Sequence, residues 1–363
     1  MTSNRIIFSP QYKSDFINEL RAKVNEYFES NKISKYGNTN MLVKTLFMIL
    51  LYITPLALML LGFVSTLPFL LFCWVLMGVG MAGVGMATMH DANHGVYSEN
   101  KIVNSLLSKS LYFLGGYPIT WQYQHNTLHH GFTNIEGHDE DIAPIGLLRF
   151  SPHKPLLKVH KFQHFYAWFF YGLMTISWIT AKDFRQLAHY KNIGAKLASN
   201  KSYRTMFTEL IAWKLVYYTL FLALPLIVIS VSWYWIVLGF IFMHFICGFL
   251  LGIIFQTAHV MPSSVYPLPD ENGNMVNNWA IHQLQTTSDY SPKSRIFSWL
   301  IGGLNYQVEH HLFPNISHVH YHRISFMVKE TAQKYGLPYH VQPTFYAALL
   351  SHGIMLRKLG RMV

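Results

Sequence analysis

Eight of the chain's 20 histidines lie in short groups with the spacing of metal ligands. The groups are His90 with His94, His125 with His129 and His130, His310 with His311, and the single His259. Residues four apart on an α-helix share a face, so the first and last histidine of an HxxxH group can hold one metal. Adjacent histidines point about 100° apart, so each adjacent pair can offer an imidazole to each of two metals.

Eight imidazoles are too many for one tetrahedral zinc site, which takes four ligands. They suit two metals with four or five ligands each, and imidazole alone fits Fe, Cu, Zn or Ni. Six further histidines are interpreted as ordinary structural residues: His153, His160, His164, His189, His340 and His352. His244 lies within an apolar stretch and is interpreted as a buried helix residue or a tunnel lining.

Two long apolar blocks must position these groups. No charged residue occurs from Thr45 to Met89 or from Leu215 to Pro269. A membrane span takes ~20 residues, so each block holds two spans, with turns near Ser65 and Ser230. The predicted spans are about 45–65, 67–89, 210–231 and 233–256. Such runs are too long for ordinary core helices, and the first begins too far along the chain for a cleaved signal peptide.

The charges indicate the orientation of these spans. The chain is 51% hydrophobic and 12% charged, and its 28 Lys and Arg against 17 Asp and Glu give a net charge of +11. None of the basic residues lies in the short loop within either block, so both termini and the long middle segment are predicted to be cytoplasmic. Membrane orientation explains the positive charge, and no nucleic-acid partner is required.

The predicted fold is therefore an all-α integral membrane protein. Four transmembrane helices form two hairpins, and a cytoplasmic helical cap carries the histidine groups. Residues 1–40 are predicted to be a cytoplasmic N-terminal segment with an amphipathic helix around Phe16 and Leu20, and residues 41–363 the main domain. The uncharged aromatic stretch 162–181 is interpreted as an in-plane helix at the headgroup level, with a fifth span as the alternative.

The histidine groups resemble the three boxes of the membrane fatty acid desaturases, HxxxH, HxxxHH and (H/Q)xxHH. The sequence Gln307-Val308-Glu309-His310-His311 resembles the front-end branch, which includes linoleoyl-CoA (delta-6 type) desaturases. The resemblance runs from about Val43 to the C-terminus. Further agreement comes from Thr133-Asn134, Asp139, Asp141, Trp279, His282-Gln283 and Thr286-Thr287.

This resemblance implies two iron ions as cofactors and O2 as co-substrate. The implied ligands, which are also the catalytic residues, are His90, His94, His125, His129, His130, His259, His310 and His311. Gln307 occupies a position where other branches have histidine and is predicted to bind the cofactor. No His-Pro-Gly-Gly motif of a fused cytochrome b5 domain is present, so we expect a separate electron donor, a ferredoxin or cytochrome b5 with its reductase.

The predicted activity is O2-dependent introduction of a cis double bond into an acyl-CoA or acyl-lipid chain. Acid–base chemistry cannot remove hydrogen from a methylene, so a redox-active metal is required, and zinc is excluded. A hydroxylase using the same irons is the nearest alternative, and a non-enzymatic membrane metal or haem protein is a more distant one. The active site is expected on the cytoplasmic face of a bacterial inner membrane or of the endoplasmic reticulum.

Supporting roles are predicted for residues of two kinds. Carboxylates near the boxes are candidates to orient metal-bound imidazoles: Asp91, Asp139, Asp141, Asp289 and Glu309. Cytoplasmic basic residues are candidates to bind a CoA headgroup: Arg149, Lys154, Lys158 and Lys182.

Overall fold

Helices make up almost all of the regular structure. The computed structural model describes residues 6–11, 13–144 and 146–362, so the first five residues of the predicted N-terminal segment lie outside the described residues. The α-helices in this part of the chain are α1 (Ser14–Ser30), α2 (Thr39–Leu60), α3 (Leu67–Gly83), α4 (His90–Asn93), α5 (Lys101–Ser108), α6 (Ser110–Phe113), α7 (Pro118–Gln122), α8 (His130–Phe132), α9 (Gln163–Gly172), α10 (Met174–Ser177), α11 (Asp183–Asn192), α12 (Tyr203–Tyr218), α13 (Leu224–Val228), α14 (Trp233–His259), α15 (Trp279–Thr286), α16 (Arg295–Leu300), α17 (Gln307–Leu312), α18 (Tyr321–Lys334) and α19 (Phe345–Leu359).

Strands are minimal. Each of those found in the described ranges has two residues: β1 (Ile7–Phe8), β2 (Asn274–Met275), β3 (Asp289–Tyr290) and β4 (Val341–Gln342). They form two parallel pairs, β1 with β2 and β3 with β4. The strands therefore fasten distant segments together locally and do not form a sheet layer.

Four helical stretches are long and apolar enough to cross a membrane: Thr39–Leu60, Leu67–Asn93, Tyr203–Val228 and Trp233–His259. They overlap the four predicted spans, and short connections at 61–66 and 229–232 pair them into two hairpins. The prediction of a four-helix membrane protein is confirmed. The cytoplasmic position of the remaining helices stays a prediction.

Local sequence explains how the first hairpin forms. The Asn38 side chain accepts a hydrogen bond from the backbone N–H of Met41 (3.3 Å) and so caps the start of α2. The partner helix α3 approaches closely at Gly80, where a Cβ atom would lie 2.5 Å from the backbone nitrogen of Tyr52. A small residue at this position permits the close helix packing that stabilises membrane proteins.

Segments of π-helix interrupt the α-helices, and two of them adjoin histidine groups. Val84–Met89 immediately precedes His90, and Tyr123–His129 contains two of the predicted ligands. His125 and His129 therefore lie on a π-helical turn and not on the α-helix assumed from their spacing. Such turns occur frequently at functional sites because they shift the direction in which side chains point.

The chain forms two compact units. Unit 1 comprises Met1–Gly37, Gln124–Ala167 and Ile254–Val363, and unit 2 comprises Asn38–Tyr123 and Trp168–Ile253. The aromatic stretch 162–181 crosses their boundary as short helices, the longest of which, α9, has 10 residues. Its in-plane orientation stays a prediction.

Unit 1 is built around the helix that carries the third histidine group. Helix α1 buries Phe16, Leu20 and Val24, as its apolar spacing predicts. These side chains belong to one apolar core with Val308 and Leu312 of α17. The core therefore fixes the position of α17, which contains Gln307, His310 and His311.

Candidate metal centre

Unit 1 brings six of the eight predicted ligands into one buried cluster. His125 and His129 lie on the π-helical turn and His130 begins α8, while His259 is the last residue of α14. His310 and His311 lie on α17. The six side chains are at most 4% exposed: His125, His129, His130, His259, His310 and His311.

Three of these histidines form a group with the geometry of a metal site. The ligand nitrogens of His129, His259 and His311 all lie within 4.8 Å of one another. Their ring centroids are 4.6 to 4.9 Å apart. A single ion between the three rings could be reached by all of them.

The other three histidines of unit 1 converge on a second point. Nε2 of His130 lies 2.9 Å from Nε2 of His310 and 3.3 Å from Nε2 of His125. The rings of His125 and His310 are stacked with centroids 5.7 Å apart. Nitrogen lone pairs at such distances repel unless a proton or a metal lies between them. The arrangement is that of a second metal-binding group.

The first histidine group lies in unit 2. His90 is on α4, His94 follows it, and their ring centroids are 4.7 Å apart. Both rings meet the indole of Trp121 edge-on, at 5.9 and 6.2 Å. The two imidazoles therefore neighbour each other as the HxxxH spacing predicts.

Two carboxylates hold His129. Its Nδ1 lies 3.2 Å from both oxygens of Asp139 and 3.4 Å from Oδ2 of Asp141. Burial lowers the pKa of His129, but the charges of Asp139 and Asp141 outweigh burial and raise it to about 9. The same negative field would stabilise a metal cation. Asp139 is itself fixed by the backbone N–H groups of Asn134 and Asp141, each at 2.9 Å.

Gln283 is a second orienting residue, on α15. Its Oε1 lies 2.8 Å from Nδ1 of His311, and its Nε2 donates to the carbonyl of His130 at 3.1 Å. The hydroxyl of Thr133 also donates to Oε1 at 2.8 Å. Since Nδ1 of His311 must donate to this oxygen, Nε2 is the nitrogen left for a metal.

Other imidazoles of the cluster are held in the same way. Nδ1 of His310 lies 3.2 Å from the hydroxyl of Tyr321, and Nδ1 of His259 lies 3.4 Å from the carbonyl of Thr286. The indole N–H of Trp279 donates to the His130 carbonyl at 2.9 Å. The first two contacts engage Nδ1 and leave Nε2 of His310 and His259 available, while the third holds the backbone at His130.

Two buried ring nitrogens without hydrogen-bond partners among the described residues show that the site fits a metal. Nε2 of His259 and Nε2 of His311 are buried and have no hydrogen-bond partner among the residues that the structure describes. Burial, reinforced by the neighbouring His130, lowers the pKa of His311 well below its usual value, so its imidazole is neutral. A neutral imidazole with a buried, unshared lone pair is the form that binds metals. The histidine clusters could therefore hold metal ions.

Gln307 lies at the start of α17, one turn before the histidine pair. Its Nε2 donates to the Leu304 carbonyl at 2.8 Å, while Oε1 is buried without a hydrogen-bond partner in the described part of the chain. Cofactor binding by Gln307 stays a prediction, with Oε1 as the atom available for it.

Two of the predicted acids, Asp289 and Glu309, have partners other than a histidine. The hydroxyl of Tyr339 donates to Asp289 at 2.7 Å and to Glu309 at 3.0 Å, and Asp289 also accepts from the N–H of Val308 at 3.0 Å. Asp289 therefore caps α17. Burial raises the pKa of Asp289 to about 6 and, together with the charge of Asp289, raises the pKa of Glu309 well above its usual value.

Arg149 has a structural role in place of the predicted headgroup contact. It is 2% exposed, and its guanidinium donates to the carbonyls of Pro152, Lys154, Leu359 and Met362. Four of its five N–H donors are therefore engaged by backbone carbonyls. A guanidinium buried in this way contradicts the exposed headgroup contact predicted for it.

Sequence reasoning missed the roles of Tyr321 and Tyr339. The hydroxyl of Tyr321 meets His310, and the hydroxyl of Tyr339 donates to Glu309 beside it. No motif or spacing marks either tyrosine. Gln283 had a weak signal, since it stands beside His282 in a stretch that resembles the desaturases. Its contact with His311, 28 residues away, appears only in the folded chain.

Comparison with known proteins gives a consistent result. A family model described as fatty acid desaturase matches residues 37–343, which include all eight predicted ligands. The chain is 33% identical to the sn-1 linoleoyl-lipid 6-desaturase of Synechocystis sp. over 99% of each chain. It is also 33% identical to the protein of that name from Arthrospira platensis, over 99% of this chain and 96% of that one. An acyl-lipid (8-3)-desaturase of Physcomitrium patens is 33% identical over 95% of this chain and 72% of its own length.

Proposed function

The chain belongs to the fatty acid desaturase family, and from this premise we propose that its eight box histidines hold two irons that use O2 to desaturate a lipid-linked acyl chain. The membership makes it an oxidoreductase of the membrane that acts on lipid acyl chains. Our proposal concerns the two irons, their ligands, the electron donor and the side of the membrane on which the active site lies.

The observation that carries the ligand assignment is the pair of buried, unshared Nε2 atoms of His259 and His311 beside His129. We assign these three residues, with Gln307 at the edge of the group, to one iron. His125, His130 and His310 are assigned to the other iron because their Nε2 atoms converge. His90 and His94 are assigned as ligands from their box motif.

The chain's own residues hold the imidazoles in place. Gln283 keeps a proton on Nδ1 of His311, and Asp139 does the same for His129, so that Nε2 of each ring faces the metal. Burial of the six rings excludes bulk water, which would compete for reactive species. Bound iron would supply an oxidant from O2 strong enough to remove hydrogen from an unactivated methylene.

The overall reaction balances as follows. One CH2–CH2 unit, one O2, two electrons and two protons give one cis CH=CH unit and two water molecules. The two electrons require a reductant, and we assign this role to a separate carrier, a ferredoxin or cytochrome b5 with its reductase.

We propose that the substrate is an acyl lipid and not an acyl-CoA. The full-length relatives from Synechocystis sp. and Arthrospira platensis are named linoleoyl-lipid 6-desaturases, and the relative from Physcomitrium patens is named an acyl-lipid desaturase. Engagement of Arg149 by backbone carbonyls also removes one of the cations that a CoA headgroup would need. By the same names, the new double bond is placed on the carboxyl side of an existing one.

The positive-inside pattern supports an active site on the cytoplasmic face, in a bacterial inner membrane or the endoplasmic reticulum. We propose that residues 1–40 form a cytoplasmic segment and residues 41–363 the desaturase domain. The aromatic stretch 162–181 is proposed to lie in the membrane plane.

Expression in a desaturase-free host supplied with linoleate tests this function. Mass spectrometry of extracted lipids should show a linoleoyl chain that has lost two mass units, and the His311→Ala variant serves as the inactive control. A gain of sixteen mass units would identify a hydroxylase instead. An unchanged lipid profile in the presence of both ferredoxin and cytochrome b5 systems would contradict the proposal.

A further inference from the structure

The C-terminal helix α19 presents an apolar face to solvent. Tyr346, Leu350 and Ile354 are 70%, 50% and 61% exposed. Their spacing of four residues places them along one side of the helix. The opposite side is buried through His352 and Leu356. Packing of unit 1 therefore uses only one side of α19 and leaves an apolar stripe uncovered.

Basic residues continue this stripe. Arg357 lies on the same side of α19, one turn beyond Ile354, and Lys358 is next to it. Arg361 follows shortly after the end of the helix, and all three basic residues are exposed. No acidic residue follows Glu330 in the sequence. The exposed face of α19 therefore combines apolar side chains with positive charge that no nearby acid in its own segment neutralises.

A second segment with the same character is fastened to the end of α19. The guanidinium of Arg149 donates to the carbonyl of Met362 at 2.8 Å, and Nε2 of Gln163 donates to the carbonyl of Leu356 at 2.8 Å. A Cβ atom on Gly360 would lie 2.0 Å from the carbonyl oxygen of His160, so the two backbones touch. Residues 157–165 therefore adjoin the basic end of α19.

This adjoining segment is also apolar and basic at its surface. Leu157, Phe162 and Phe165 are 48%, 55% and 71% exposed, and Lys158 and Lys161 lie between them. The sequence contains no acidic residue from position 149 to position 182. The two segments form one surface, which we call the basic apolar face.

A hydrogen bond places this face at the end of a membrane span. Nδ1 of the buried His352 donates to the carbonyl of Val260 at 2.8 Å. Val260 directly follows α14, one of the four helices long enough to cross the membrane. The headgroup layer begins where such a helix ends, so the middle of α19, which contains His352, lies beside the end of this span.

We propose that the basic apolar face, formed by α19 and residues 157–165, is a docking surface for anionic phospholipid headgroups. Apolar side chains that enter the headgroup boundary and cations that meet anionic lipids are the two components of interfacial binding. The absence of acidic residues in both segments favours an anionic bilayer over a protein surface of mixed charge. The proposal rests on the membrane location of the chain and not on the assignment of the irons or the substrate.

Site-specific labelling of the full chain tests this proposal. Cys73 and Cys247 are both buried, so an introduced Leu350→Cys can be labelled selectively with a polarity-sensitive fluorophore. Gln333→Cys, on an exposed position of α18, is the matched control. Both labelled proteins are placed in nanodiscs of phosphatidylcholine alone or mixed with phosphatidylglycerol, and quenching by acrylamide, an uncharged quencher, is measured.

The expected result is a fluorophore at position 350 that is several-fold less quenched than the one at 333, with the difference largest in phosphatidylglycerol discs. Combining Arg357→Gln, Lys358→Gln and Arg361→Gln should remove most of the dependence on phosphatidylglycerol. Ile354→Cys repeats the measurement if labelling at 350 disturbs the helix.

Equal quenching at 350, 354 and 333 in both kinds of disc would overturn the proposal. Protection that depends on two protein copies per disc, and not on lipid charge, would assign the face to a second copy and would also overturn it. Because neither readout uses turnover, the outcome is independent of whether the desaturase assay succeeds.

Discussion

Each unit of the molecule contains a buried polar centre, and the two centres differ in how completely their polar atoms are paired. In unit 2, Nζ of Lys214 donates to Asp183 at 2.7 Å and to the carbonyls of Gly115 and Trp178. The other carboxylate oxygen of Asp183 accepts from Thr120 at 2.9 Å and from the Trp178 indole at 3.0 Å. In unit 1, by contrast, Nε2 of His259 and Nε2 of His311 are buried without a hydrogen-bond partner in the part of the chain that the structure describes.

The histidines of the two units show the same difference. Nε2 of His244 lies 2.8 Å from the hydroxyl of Tyr217, and its Nδ1 lies 3.2 Å from Thr175, so both ring nitrogens are paired. His311 pairs only Nδ1, with Gln283, and its Nε2 faces other imidazoles. Burial and histidine content alone do not identify a metal site. Convergence of several unshared nitrogens does, because a buried lone pair without a partner is unfavourable until a cation occupies it.

The largest expected effect is the loss of activity when a proposed ligand, His311, is replaced, compared with replacement of the fully hydrogen-bonded His244. His311→Ala removes a proposed ligand, and we expect more than a ~100-fold loss of desaturation, since even residues that only orient ligands contribute 10- to 100-fold. Iron per folded protein, measured by mass spectrometry, should fall. His244→Ala is the control: it should lower the melting temperature but keep the iron content. Wild-type iron and activity in His311→Ala would contradict the assignment.

The second effect concerns the stability of unit 2. Asp183→Asn leaves the buried Lys214 ammonium without its counter-charge, and we expect the free energy of unfolding to fall by about 3–5 kcal/mol. Chemical unfolding in detergent measures this loss, while the iron content of the folded fraction should not change. Replacing both residues, with Asp183→Leu and Lys214→Met, should recover much of the stability. A stable single variant would show that the ion pair is not structural.

The third effect tests the orientation of a ligand. Gln283→Leu removes the acceptor for Nδ1 of His311, and we expect metal affinity to weaken by about 10- to 100-fold. Competition with a chelator measures the affinity, and Gln283→Glu should restore it. The matched control is Gln285→Leu on the same helix, where the lost side-chain amide accepts from Asn277 at 2.7 Å and contacts no histidine of the cluster in the described residues. Equal losses in the two leucine variants would indicate a general packing effect.

The smallest expected effect comes from removing one hydrogen bond from the buried polar centre of unit 2. Tyr217→Phe deletes the hydroxyl that meets Nε2 of His244, and we expect a loss of about 1–2 kcal/mol in the free energy of unfolding. Iron content and desaturation per folded molecule should stay at wild-type values. A selective loss of iron would mean that unit 2 contributes to metal binding through His244.

Much of the fold could be predicted because its signals are local. The apolar blocks define four spans, and the spacing of Phe16, Leu20 and Val24 predicts helix α1. The π-helical turn Tyr123–His129 could not be predicted, since a pattern of histidines four apart fits an α-helix as well. Arg149 was misjudged for a related reason: a basic residue in a cytoplasmic segment is usually exposed, but here carbonyls of two distant segments surround it.

The sequence by itself determined the type of chemistry, because eight imidazoles in box spacing beside apolar spans are a property of composition and order. Only the tertiary structure decided which imidazoles meet and which atom of each ring is available. His130 and His310 are 180 residues apart along the chain, yet their Nε2 atoms lie 2.9 Å apart. The hydrogen bonds that select those atoms come from Gln283, Tyr321 and Asp139 in three other segments. Such pairings depend on packing, which brings together side chains that no local pattern relates.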